Sequence, residues 1–149
     1  MKIWLMQSLV AIAFIGAGSA AAADTVGIMK TVCGSARLER GTTVINAVVG
    51  VVVEAGDRIV TSSTAIVGIT LKDDTLLAIG PGSVLIIENF AFDQTTYAGS
   101  LAVRMVNGTL RMITGLIARQ TPGAVRVLTP NAIIGTRGTD YIVEVPAND

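Results

Sequence analysis

The chain has 149 residues, 11 Lys+Arg against 11 Asp+Glu, no histidine and one cysteine, with 51% hydrophobic and 4% aromatic residues. That length fits one domain. The balanced charge lacks the basic excess that nucleic-acid binding needs. Without histidine the commonest general base and zinc ligand is missing, and one cysteine cannot form an internal disulfide or a thiolate cluster.

Residues 1–23 read as a cleavable export signal. Lys2 supplies the positive start, Ile3 to Gly18 runs without a charge, and Ala21-Ala22-Ala23 offers small residues for cleavage before Asp24. The stretch from Ile3 to Ala23 is 21 uncharged residues, long enough to serve as an anchor; its alanine-rich end favours cleavage. The expected location is therefore periplasmic or secreted, and no later stretch is long and apolar enough to cross a bilayer as a helix. The lone Cys33 is expected to be a buried small hydrophobe.

From Asp24 onward, 46 of 126 residues are Val, Ile or Thr. β-Branched side chains lose rotamer freedom in helices and pack well on pleated surfaces. Gly, Asn and Asp cut the apolar runs into pieces too short for typical helices. The pattern predicts strands over 26–32, 36–39, 44–47, 51–54, 58–61 and 65–71. Further strands are predicted over 75–79, 83–87, 100–106, 109–113, 124–128 and 140–145. The one predicted helical turn lies at 114–120, ahead of Pro122.

Two connections carry turn chemistry. Asn107-Gly108 between apolar segments predicts a hairpin, and Lys72-Asp73-Asp74-Thr75 predicts a tight polar turn. Leu101, Val103 and Met105 alternate with Ala102, Arg104 and Val106, as on a strand with one buried face. Thr75–Ile79 and Val84–Ile87 are apolar on both faces, which predicts two-sided burial. The expected fold class is all-β, a rolled sandwich of short strands or a short β-solenoid; no clean repeat decides between them.

Few residues invite chemistry. Asp73 with Asp74, and Glu54 with Asp57, read as solvated turn carboxylates, because neighbours on a turn point apart into water. No catalytic residue, metal site or cofactor is expected. Arg104, Arg111, Arg119 and Arg126 recur every seven or eight residues. Stacked strands would let them line one surface for an anionic partner; otherwise they are outward, partly paired positions of little energetic weight.

The segment from Thr129-Pro130 through Ile133-Ile134-Gly135-Thr136-Arg137-Gly138-Thr139-Asp140-Tyr141 resembles the closing signature of the FecR-like domain family. Ala55-Gly56-Asp57-Arg58-Ile59-Val60-Thr61, Ile69-Thr70-Leu71-Lys72-Asp73-Asp74-Thr75, Leu77-Ala78-Ile79-Gly80-Pro81-Gly82-Ser83 and Gly108-Thr109-Leu110-Arg111 are similar to its earlier blocks. The resemblance covers about Ala47 to Val145, with Asp74 where the family more often has Gly. It implies an all-β, periplasmic, β-solenoid-like domain over 24–149, in a stand-alone form without a cytoplasmic anti-sigma segment or membrane helix. In the signature, Thr129, Pro130, Arg137, Gly138 and Thr139 read as structural: Gly138 supplies an unusual backbone angle and Arg137 pairs with a carboxylate or carbonyl. An anion-binding turn at Arg137 is the alternative.

The expected function is an exported, non-catalytic interaction module, linked to envelope sensing or signalling, with an unknown protein or envelope component as partner. The alternatives are a structural or oligomerising envelope element and, less favoured for want of a nucleophile with its base, an envelope hydrolase.

Overall fold

The computed structural model describes residues 24–135, 137 and 139–147; the expected export signal, Thr136 and Gly138 lie outside the described residues. The first strands are β1 (Thr25–Cys33), β2 (Ala36–Arg40), β3 (Thr43–Asn46), β4 (Val52–Glu54), β5 (Arg58–Thr61) and β6 (Ile66–Leu71). They are followed by β7 (Leu76–Ile79), β8 (Val84–Phe92), β9 (Gly99–Ile113), the helix α1 (Leu116–Gln120), β10 (Val125–Leu128), β11 (Ile133–Gly135) and β12 (Asp140–Val145). No helix among the described residues is long and apolar enough to cross a membrane.

The strands form two curled sheets that share β9. The front sheet runs β4-β1-β6-β7-β9-β12, and the back sheet β3-β2-β5-β8-β9-β10-β11. All pairings are antiparallel except β10 with β9. The N-terminal part of β9 lies between β8 and β10, and its C-terminal part between β7 and β12. This is the expected all-β class in its rolled-sandwich form, a half-barrel of two sheets.

Asn107-Gly108 is not a hairpin turn: it lies inside β9, where the strand passes from the back sheet to the front. A hairpin needs its two arms to pair with each other, and here each arm has other partners. Gly108, at φ 102°, bends the strand rather than reversing it. The crossing is fixed by Ser83, whose Oγ accepts the Thr109 N–H at 3.0 Å, and by Asn107, whose side-chain amide donates to the Gly82 carbonyl at 2.8 Å. The turn at Lys72–Thr75 forms as expected, with Asp74 in the left-handed region at φ 66°.

The inward faces of both sheets close on one aliphatic core, including Met29, Ile59, Ile69, Leu85, Met105 and Leu110. Each such side chain gains about 1.5–3 kcal/mol from leaving water. The two-sided burial expected for Thr75–Ile79 and Val84–Ile87 does not occur. Leu77, Ile79, Leu85 and Ile87 face the core, whereas Leu76 and Ala78 are exposed and Val84 and Ile86 half-buried. On the front sheet, small neighbours leave a shallow groove of about 300 Å³ over Gly68, Thr70, Leu76 and Ala78. Cys33 is likewise exposed rather than buried: it pairs with Ile66 on the outward row of the front sheet, while its neighbour Val32 packs against the core.

Candidate functional site

The carboxylates expected in solvent are partly built into the frame. Asp73 is fully buried. One oxygen accepts the Thr75 N–H at 3.2 Å; the other accepts the Thr75 hydroxyl at 2.7 Å and the Ile117 N–H at 3.4 Å. The Thr75 hydroxyl oxygen accepts the Gly115 N–H, and the Asp73 carbonyl accepts the Leu116 N–H. The turn side chain therefore holds the first turn of α1. A Cβ at Gly115 would stand 2.6 Å from the Thr75 nitrogen, so glycine is required where the two segments touch. Asp74 stays exposed, and the pair does not converge on a common point.

Asp57 is also fully buried, against the expectation of a solvated turn. It accepts two hydrogen bonds from Arg40, at 2.9 and 2.7 Å, and the Glu54 N–H at 2.7 Å. Arg40 also contacts Glu54 at 3.2 Å and donates to the Val52 carbonyl. The hydrogen bonds to Asp57 raise the Arg40 pKa above its ordinary value. Breaking a buried ion pair from one side costs about 3–5 kcal/mol. Arg40 is partly solvated and Asp57 keeps the Glu54 amide, so Arg40→Met is expected to cost about 2 kcal/mol in urea denaturation.

The four recurring arginines do not line one surface. Arg104 faces outward from the back sheet and pairs with Glu88. Arg111, on the front-sheet part of β9, grips Asp140 through two hydrogen bonds of 3.0 and 2.7 Å. That grip raises the Arg111 pKa and lowers that of Asp140. Arg119 lies on α1, and Arg126 stands opposite Ala102 on the strand next to Arg104. Only Arg104 and Arg126 share a face. Seven residues of spacing cannot report that β9 changes sheets between 104 and 111.

In the closing segment, Thr129 ties the β10–β11 turn: its backbone N–H donates to the Ala132 carbonyl and its hydroxyl oxygen accepts the Ala132 N–H. The Thr139 carbonyl accepts the Thr114 N–H at 2.9 Å. Arg137 is exposed and, among the described residues, has no ion pair, unlike the pairing expected for it. It borders a groove of about 480 Å³ between the ends of the two sheets, with Ile134, Tyr141, Val143 and Glu144.

Sequence reading also missed the aromatic hairpin after β8. Phe92 and Tyr97 stack with centroids 6.3 Å apart, Phe90 stands 6.4 Å from Phe92, and Tyr97 adopts φ 59°. Asp93 closes this loop by accepting the N–H groups of Thr95 and Thr96, which lower its pKa. The Asp93-Gln94-Thr95-Thr96 run was the available signal.

The geometry defines an all-β domain whose buried polar side chains hold turns together and whose open features are grooves and sheet edges. Residues 57–149 match the family model described as FecR protein, and the chain belongs to that family. FecR domains are found in envelope signalling proteins. Comparison with curated proteins and with solved structures gives no match. The matched stretch begins at Asp57, so β1 to β4, including the internal front strand β1 between β4 and β6, precede it.

Proposed function

We propose that this chain is an exported, non-catalytic FecR-domain module that binds a protein or other envelope component in the periplasm or outside the cell, as part of envelope sensing. The observation that carries the reading is the use made of its polar groups. The buried carboxylates Asp57 and Asp73 are saturated by hydrogen bonds within the fold, while aliphatic strand edges stand open to solvent. The uncharged stretch ahead of Asp24 supports export. Membership of a family found in envelope signalling proteins supports the sensing role.

Cell fractionation with N-terminal sequencing, combined with a photo-crosslinking side chain at exposed edge positions such as Ile133 and Ile142, tests the reading. The expected product starts at Asp24 in the exported fraction and forms a discrete cross-linked species with an envelope component. A cytoplasmic product starting at Met1, or turnover of an envelope substrate by the purified chain, would contradict it.

A further inference from the structure

We propose that the free side of β12 takes an extended segment of a partner protein as a seventh strand of the front sheet. This rests on the binding-module reading and assigns that module its edge. Thr114 donates to the Thr139 carbonyl, and the register sets Asp140 opposite Ile113. In an antiparallel ladder bonded and non-bonded pairs alternate. Thr139, Tyr141, Val143 and Val145 therefore turn their backbone groups to β9, and Asp140, Ile142 and Glu144 turn theirs away from it. No described strand pairs with that side.

Such an edge is ordinarily blunted by charged side chains, proline or a covering element, and on β12 the charges Asp140 and Glu144 stand only toward its two ends. Here its central residue is Ile142, 66% exposed, and the nearby edge strand β11 begins with Ile133, 68% exposed. An added strand would place alternate side chains on the inner side, into the groove bordered by Ile134, Tyr141 and Val143. Those positions call for apolar residues.

Charge selects the occupant. Pairing β12 with its own copy about Ile142 would set Asp140 against Glu144 of the second copy, and like charges directly opposite are unfavourable. Glu144 has no ion pair among the described residues, and neither has Arg137 at the other end of the groove. An antiparallel segment that begins with Lys or Arg, alternates with Val or Ile, and ends with Asp or Glu satisfies both. The partner is thus a protein offering an extended, alternating segment with basic-to-acidic polarity.

The probe is the acetylated, amidated peptide Lys-Val-Thr-Val-Thr-Val-Thr-Glu, titrated into the ¹⁵N-labelled chain. The expected result is saturable shifts centred on the amides of Asp140, Ile142 and Glu144, with weaker binding of the same peptide carrying Glu first and Lys last. Ile142→Pro removes an N–H that no β9 bond uses, so it should weaken binding about tenfold or more while leaving the fold intact. Glu144→Lys should reverse the preference between the two peptides. No shift on β12 at millimolar peptide, or shifts centred on β3 and β4, would overturn the assignment. So would concentration-dependent shifts of β12 amides without peptide, which would give the edge to a second copy. Envelope cross-links formed from other positions would then leave the binding-module reading standing and remove only this edge.

Discussion

Replacing Gly108 with alanine is expected to cost the chain about 3 kcal/mol or more, read as a lower urea midpoint at unchanged slope. Two costs add at this position. Gly108 has φ 102°, a backbone conformation that a side chain strains. A Cβ there would overlap the Ser83 hydroxyl and stand 2.5 Å from the Ser83 Cα, which is backbone and cannot swing aside. Ser83 is itself fixed, because its N–H donates to the Thr61 hydroxyl oxygen and its Oγ accepts from Thr109. The substitution therefore strikes the point where β9 joins the two sheets. Asn107→Ala, next to it, loses one hydrogen bond to Gly82 and should cost only about 1 kcal/mol.

Asp73→Ala is expected to cost about 3 kcal/mol, since hydrogen bonds to a charged group contribute about 1.5–3 kcal/mol each and a buried donor left unmatched adds its desolvation. The Thr75 N–H and hydroxyl lose their shared acceptor, and the Ile117 N–H at the start of α1 loses its contact. The damage should be directional. Amide exchange at Gly115, Leu116 and Ile117 should accelerate more than exchange in β5 or β8. Asp73→Asn keeps one acceptor oxygen and should recover part of the loss. A loss no greater than that of an exposed Asp74→Ala control would contradict the role given to Asp73.

Much of the frame is written in local pattern. The alternation of Leu101, Val103 and Met105, the β-branched runs and the Gly and Asp punctuation mark strand positions, and the structure places β1 to β7, β10 and β12 close to them. The exceptions are β8, which runs on to Phe92, β9, which joins two expected strands into one, and β11, whose three residues are too few to alternate visibly. Pairing partners are not local. Asn107-Gly108 has the chemistry of a hairpin, but whether it reverses or bends depends on β7 and β8 being available to its two arms. Burial of Asp57 and Asp73 escapes for the same reason: a carboxylate on a turn looks solvated until Arg40, 17 residues away, or Ile117, 44 residues away, closes over it. The arginine spacing misled because regular separation along a chain says nothing once the strand carrying it changes sheets. The closing signature was legible as a motif, but its place between two open sheet edges emerges only from the fold.

The decisive property of the chain is an open sheet edge at β12 rather than a closed surface. Residue-resolved amide exchange of the purified chain tests this most directly. Asp140, Ile142 and Glu144 are predicted to exchange near the rate of unstructured amides, while Tyr141 and Val143, between them, are protected by β9. Uniform protection along β12 would mean that the edge is already covered and would contradict the account.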